Sequence, residues 1–509
     1  MTTATRTPAP APQAVSAARG GHLAAVLALA AFETRRLLLR VPVLVAFALY
    51  AAYVVWHTRT SWDGYPALHD ADRATQGAPL LVGLAVLLGV NQAMLRSRRH
   101  DTERHLGVLV LPQWCRTTAH LLSAAAVALL TAVCVAVQFT WEALKPGAVG
   151  QGSPGELLVG PLCVLLLGAS GAVLARLVRS GLAAPLAIVL CLFYVLLSSA
   201  ESGEDSASRW LLPLVRETGG HTYPSVLLGR PAAWHAVYLA GLALTLALTA
   251  VLLSGAARLW SVRAACAGAA VLTVVGAVGQ SGGLPPATEQ ARVRYSATPQ
   301  EVHECTDHDG ARYCAFPEWT PRTADWDRAL KGVTALAGDA AGDRALVVRQ
   351  RVEARHGLSS DSAIPPLGAP GEVTVGTSWG GNRVPEFTTA VAGVLVAGSE
   401  EDAATVCDGR TVTVMWLALA GRPDPVADLR RVRLDDSDTG SALVISQTEP
   451  TYMTAAHTEV VRELLDRPRA EVAAKVRANW RELTTPKVTT DRVAEVLGLD
   501  APEGEDSCL

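Results

Sequence analysis

The chain has 509 residues, half of them hydrophobic and only 18% charged, with a formal net charge of -3. Soluble domains are about one-quarter charged, and the near-neutral balance excludes the concentrated basic face that nucleic acid requires. The apolar residues are unevenly spread: long blocks fill 41–280, and charge and proline return after Gly283.

This distribution predicts an α-helical polytopic membrane domain of about seven spans, followed by a C-terminal soluble α/β or α+β domain at 291–509. Residues 1–21 are rich in Pro, Ala and Thr and hold no apolar signal region, so they read as a disordered cytoplasmic tail. Residues 22–40, HLAAVLALAAFETRRLLLR, are apolar but end in Glu33, Arg35, Arg36 and Arg40. They predict an amphipathic helix in the headgroup region, its arginines snorkelling to phosphates. An extended start to the next span is the alternative.

The expected spans are 41–56, with Pro42 suited to a helix start, then 79–95, 119–140, 157–174, 182–199, 234–254 and 264–278. The last is short and rich in Gly and Ala. A hydrocarbon core of ~30 Å takes roughly 20 helical residues, and a soluble core helix does not explain so many apolar blocks in succession. Arginines gather in alternate loops: Arg35, Arg36 and Arg40; Arg96, Arg98, Arg99, Arg104 and Arg116; Arg176 and Arg179; Arg258 and Arg263. The other loops carry acids, among them Asp63, Asp70, Asp72, Glu142, Glu156 and Glu217. The positive-inside rule then places the N-terminus in the cytoplasm and the C-terminal domain outside.

A linker at 281–290, SGGLPPATEQ, leads into alternating elements. ARVRYSA, RALVVRQRV, EVTVGTSW and SALVISQT read as strands. DWDRALKGVTALAG, TVTVMWLALA and the stretch from Thr454 to Leu483 read as helical, with Pro468 dividing the last. VTTDRVAEVLGL reads as a short capped helix starting at Thr490 or Asp491.

Cys134, Cys163, Cys191 and Cys266 fall in spans and read as small hydrophobes. Cys305 and Cys314 suit a disulfide loop outside the cell. The alternative is a zinc site of His303, Cys305, His308 and Cys314, whose spacing matches poorly the short pairs that metals favour. Cys407 and Cys508 have no evident partner.

The sequence holds no G-x-x-x-x-G-K-[ST], H-E-x-x-H or G-x-S-x-G, so no catalytic residues, metal or cofactor are expected and the chain does not read as an enzyme. Any ATP hydrolysis would come from a partner. Asn91, Gln92 and Gln138 are the polar groups within spans. Their ordinary role is to bond between helices, and the lack of a mid-span carboxylate or histidine argues against proton-coupled transport.

The loop RSRRHDTERHLGVLVLPQWCRTTAHL, Arg96 to Leu121, passes from a charged cluster through Gly107 to an apolar VLVLP. That pattern suits a short helix under the bilayer able to dock on a soluble partner. The arginines could equally be topology determinants. The loop resembles the segment between the second and third spans of bacterial permease subunits of the ABC-2 type, through Asp101, Thr102, Gly107, Leu111 and Pro112 with Arg116 beyond. FETRRLLLRVPVLV resembles that family's elbow helix and first span, and GRPAAWHAVYLAGLALTLA its sixth-span entry. RYCAFPEW, WLALA and EVLGL resemble the extracytoplasmic extension of actinobacterial members. A seventh span departs from the usual six.

The resemblance implies a permease subunit of an ATP-driven exporter in a bacterial cell membrane. It would pair with a second permease copy or paralogue and with separate ABC ATPase subunits. Coupling would run through the elbow residues Glu33, Arg35, Arg36 and Arg40. It would also use the loop 96–118, with Arg98, Arg99, Asp101, Thr102, Glu103, Arg104, Gly107, Pro112 and Arg116 as its contact residues. The alternative is a membrane-anchored binding or sensing protein acting through its outer domain. A membrane peptidase is a third, weaker reading.

Overall fold

The structure is a computed structural model that describes residues 13–99, 111–198, 210–214, 222–308, 310–341, 345–358 and 364–507. The first helix, α1 (Gln13–Leu38), begins inside the segment expected to be a disordered tail. Arg40 then takes extended backbone, and Pro42 sits in the first turn of α2 (Val41–Thr60). A proline there gives up only an N–H that a helix start leaves unpaired. The two helices are thus separate, as a kinked entry to a first span requires.

A short α3 (Leu68–Ala74) precedes α4 (Pro79–Arg99), and α5 (Gln113–Ala143), α6 (Pro154–Leu177), α7 (Ala183–Ser198), α8 (Ala232–Leu253) and α9 (Trp260–Gln280) follow. Among the described residues, six segments are long and apolar enough to cross a membrane: Val41–Thr60, Leu68–Ser97, Gln113–Ala143, Pro154–Leu177, Ala232–Leu253 and Trp260–Gln280. These segments match six of the seven expected spans. The fifth expected span is α7, whose 16 residues rise only ~24 Å. The segment that read as short and Gly/Ala-rich is instead the 21-residue α9.

The centre of the bundle is α4 and α6. Val82, Val86, Val90, Val164, Ala169 and Ala172 of these helices form one cluster with Val43, Ala124 and Val127. Helix crossings are held close by small residues. A Cβ on Gly171 would lie 2.5 Å from the Leu87 carbonyl oxygen, and one on Gly276 2.5 Å from the Tyr238 nitrogen. Helices in lipid gain little from apolar burial against each other, so close backbone approach and hydrogen bonds carry their association. Asn91 is fully buried and donates Nδ2 to the Gly171 carbonyl at 3.3 Å. Tyr50 donates to Gln138 Oε1 at 3.3 Å. Both polar spans therefore use their amides between helices. Leu44, Leu49, Val271, Val274 and Val278 of the outer helices α2 and α9 remain exposed.

The C-terminal region opens with α10 (Pro286–Ala297). ARVRYSA is therefore helix, not strand: Pro286 at the first helical position starts a helix that carries the segment through. A four-stranded sheet follows, β1 (Glu304–His308), β2 (Ala311–Ala315), β3 (Val347–Gln350) and β4 (Glu372–Val375), in that order. The β1–β2 pair is antiparallel and the other two pairs are parallel. The outer strand β4 is finished by a side chain: Glu400 accepts from the Thr374 N–H at 2.5 Å and the Leu367 N–H at 3.0 Å. A hairpin of β5 (Ala442–Val444) and β6 (Thr451–Met453) stands apart.

Helices α11 (Thr323–Ala337) and α12 (Arg383–Ala397) lie against the sheet, and α13 (Arg410–Leu419) packs on α12. Pro468 divides α14 (Ala455–Asp466) from α15 (Arg469–Ala478), and Thr489 caps α16 (Thr490–Leu497) through the Arg492 N–H. The core holds Tyr313, Phe316, Trp319, Trp326, Phe387 and Trp416, all fully buried or nearly so.

Cys305 and Cys314 face each other across β1 and β2 and are disulfide-bonded, with S–S 2.02 Å. Their sulfurs are spent on each other, and the His303 ring meets the Gln350 carbonyl through Nε2 at 2.7 Å, which leaves no zinc quartet there. Cys407 is disulfide-bonded as well, contrary to the expectation that it lacks a partner; Cys508 lies outside the described residues. Cys115, Cys134, Cys163, Cys191 and Cys266 are free.

The two parts share a core. Ala67, Val149, Tyr223 and Leu227, from three loops at one end of the bundle, belong to the same buried cluster as Tyr313, Phe316, Trp319 and Trp326. Polar contacts follow the same seam. Arg292 donates to the Leu227 carbonyl at 2.9 Å, the Ser225 N–H donates to Glu318 at 3.2 Å, and Thr377 donates to the Thr222 carbonyl.

Candidate functional site: the arginine-lined end of the bundle

The opposite end of the bundle gathers charge where the helix ends converge. It begins with α1, whose Val26 and Ala30 pack on Cys115 and Ala119 of α5. That packing turns Glu33 inward, 6% exposed. Its carboxylate receives Arg96 of α4 at 3.4 and 3.5 Å, and His120 of α5 lies 3.9 Å away. Seven residues on, Arg40 reaches α4 and donates to the Gly89 carbonyl at 2.8 Å and to Gln92 Oε1 at 3.4 Å. Burial, and after it the neighbouring Arg96, holds the Arg40 guanidinium below its ordinary pKa.

The set continues across the bundle. Arg176 at the end of α6 donates to Thr117 Oγ1 at 2.5 Å, and Thr117 shares a hydrogen bond of 2.7 Å with Ser254 after α8. Four helix ends and the elbow are therefore joined by side chains rather than by backbone pairing. A hydrogen bond to a charged group is worth about 1.5–3 kcal/mol where water is excluded, so these links resist independent movement of α1.

Of the elbow residues singled out in the sequence, Glu33 and Arg40 are thus brought into the bundle. Arg35 and Arg36 are exposed, with the Arg36 guanidinium over the Phe32 ring at 5.4 Å. Arg98 and Arg99 lie in the last turn of α4. Asp101, Thr102, Glu103, Arg104 and Gly107 lie outside the described residues. Pro112 immediately precedes the first turn of α5, and Arg116 lies within that helix, partly buried, with its Nε unpaired among the described residues.

His120, Thr117, Gln92 and Ser254 were not marked as site residues by the sequence. Their only signal is that each is polar within or beside an apolar helix, facing a helix neighbour, and the neighbour is set by tertiary packing. Comparisons with protein-family models, curated proteins and solved structures found no match to this chain. The functional reading therefore rests on the residues themselves.

Proposed function

We propose that the chain is the membrane-spanning permease subunit of an ATP-driven exporter, powered by a separate ATPase subunit at its arginine-lined end. The observation that carries the proposal is the Glu33 linkage. It ties α1 to α4 and α5, the two helices between which residues 100–110 lie in the sequence. A partner that pushes on the exposed Arg35–Arg36 face would displace α1, and the Glu33–Arg96 pair would pass the displacement to the centre of the bundle. The sequence without a phosphate-binding loop fits a chain that draws its power from outside.

In this reading the arginine-lined end faces the cytoplasm and the disulfide-bonded C-terminal region faces outward. Oxidised Cys305–Cys314 and Cys407 beside five free cysteines in the helices support that orientation, since disulfides persist in oxidising compartments. The short α7 would carry the chain back across a locally thinned bilayer, because Arg176 and Thr222 belong to opposite ends. A second copy or paralogue completes the permease.

A photo-crosslinking residue at Arg36 in intact cells tests the proposal. The expected adduct is with an ATP-binding subunit. An abundant adduct with some other partner, or none across several probes on this face, defeats it. The alternative, a sensing protein that works through its C-terminal region, draws support from the core which that region shares with the bundle loops.

A further inference from the structure

The seam between the two parts contains one charge with an unusual set of partners. Arg322 ends the turn before α11 and is 1% exposed. Its guanidinium donates to the carbonyls of Tyr65 at 2.7 Å, Pro66 at 3.3 Å, Gly147 at 3.3 Å and Thr377 at 3.2 Å, and lies over the Tyr65 ring at 5.9 Å. None of these hydrogen-bond acceptors is a carboxylate. Burial pulls its pKa down to about 10, which leaves it charged at neutral pH.

A buried cation whose hydrogen bonds all go to backbone carbonyls is expensive to build, and it is stable only while those carbonyls stay in place. Those carbonyls come from separate places in the bundle. Tyr65 and Pro66 lie in the loop between α2 and α4, and Gly147 lies in the loop between α5 and α6. The two loops also pair directly: Leu68 N–H donates to the Val149 carbonyl at 2.8 Å, and Val149 N–H to the Pro66 carbonyl at 3.0 Å. Arg322 therefore grips the two loops on either side of their own short bridge at Ala67 and Val149.

We infer that Arg322 makes the C-terminal region a clamp, which holds the α2–α4 and α5–α6 helix pairs together at this end of the bundle. Any rearrangement that separates the two pairs has to withdraw the guanidinium from one loop, so the seating of the C-terminal region and the spacing of the helix pairs change together. Ligands or partners that bind the C-terminal region in its seated form would favour the closed spacing. Those that lift it would favour the open one. This goes beyond the permease reading and does not depend on it: the clamp operates whether the bundle is driven by an ATPase or only anchors a sensor.

Hydrogen–deuterium exchange on the full-length protein in phospholipid nanodiscs tests the clamp. Comparing wild type with Arg322→Met, the amides of Leu68 and Val149 should exchange at least about tenfold faster, and both together, since charge-assisted hydrogen bonds are lost on both sides of the bridge. The amides of Val347 and Arg351, which bond to Gly371 and Val375 within the sheet, should stay at the wild-type rate. Unchanged exchange at Leu68 and Val149, acceleration at only one, or an equal rise at Val347 and Arg351 would overturn the inference. Should Arg322→Met not yield folded protein, Arg322→Lys keeps the charge but lacks the fork that reaches several carbonyls at once. It should accelerate both loop amides partially, and wild-type rates in that variant would equally overturn the clamp.

Discussion

Replacing Glu33 by glutamine should loosen α1 from the bundle. The carboxylate is nearly buried, and Arg96 and His120 converge on it. Without its charge, Arg96 loses the carboxylate to which it donates. Breaking a buried pair costs about 3–5 kcal/mol. Arg96, however, keeps 30% of its side chain exposed and its contacts are long, at 3.4 and 3.5 Å, so the figure falls to about 2 kcal/mol after screening. Cys115 reports the change directly, because it is 1% exposed and lies beneath Val26 and Ala30 of α1. When opening and closing are fast, labelling by a thiol reagent tracks the open population, and ~2 kcal/mol corresponds to about thirtyfold faster labelling. The assay is time-resolved labelling of the protein in nanodiscs, with the Cys115 peptide quantified by mass spectrometry. Arg36→Gln, on the exposed face, should label at the wild-type rate. A Glu33→Gln rate within about twofold of wild type would refute the argument that this pair holds the elbow.

Three further outcomes follow from other parts of the molecule. Gly171→Val places side-chain atoms against the Leu87 carbonyl and should destabilise the bundle by about 1–3 kcal/mol; Gly268→Ala, with nothing near it, should leave the thermal midpoint in detergent unchanged. Burial lowers the His303 pKa to about 4, so the folded C-terminal region favours the neutral ring. Its stability should hold above the unfolded value near 6.5 and fall by about 2–3 kcal/mol as the pH drops toward 4, given partial exposure. Denaturant titrations followed by tryptophan emission at pH 7.5 and 4.5 should show this slope, and His303→Gln should flatten it. Finally, alkylation of denatured, unreduced protein should modify Cys115, Cys134, Cys163, Cys191 and Cys266 but spare Cys305, Cys314 and Cys407 until reductant is added.

The helical bundle was legible because hydrocarbon demands long apolar runs, and no packing detail is needed to see them. Pro42 and Pro468 were equally readable, since a proline acts on its own helix. The errors arise where tertiary context decides. ARVRYSA alternates as a strand does, yet Pro286 starts a helix through it. The strands β1 and β2 carry Asp, His, Arg and Cys, which lack the β-branched signature and read as a turn-rich loop. At the candidate site, Glu33 and Arg40 stood out as charges in an apolar stretch, but their partners Arg96, Gln92 and His120 lie more than fifty residues away or on another helix face. The Arg322 seam was invisible because its acceptors are backbone carbonyls, up to 257 residues distant, and a backbone carbonyl leaves no mark on the sequence.

The permease reading stands most directly on whether the native assembly hydrolyses ATP. Purification of the tagged chain from its own membranes in mild detergent should yield a stable complex with ATPase activity. That activity should depart together with a single partner subunit when the Arg35 and Arg36 face is reversed to glutamate. A folded, monodisperse preparation that repeatedly carries no ATP-hydrolysing subunit would contradict the account.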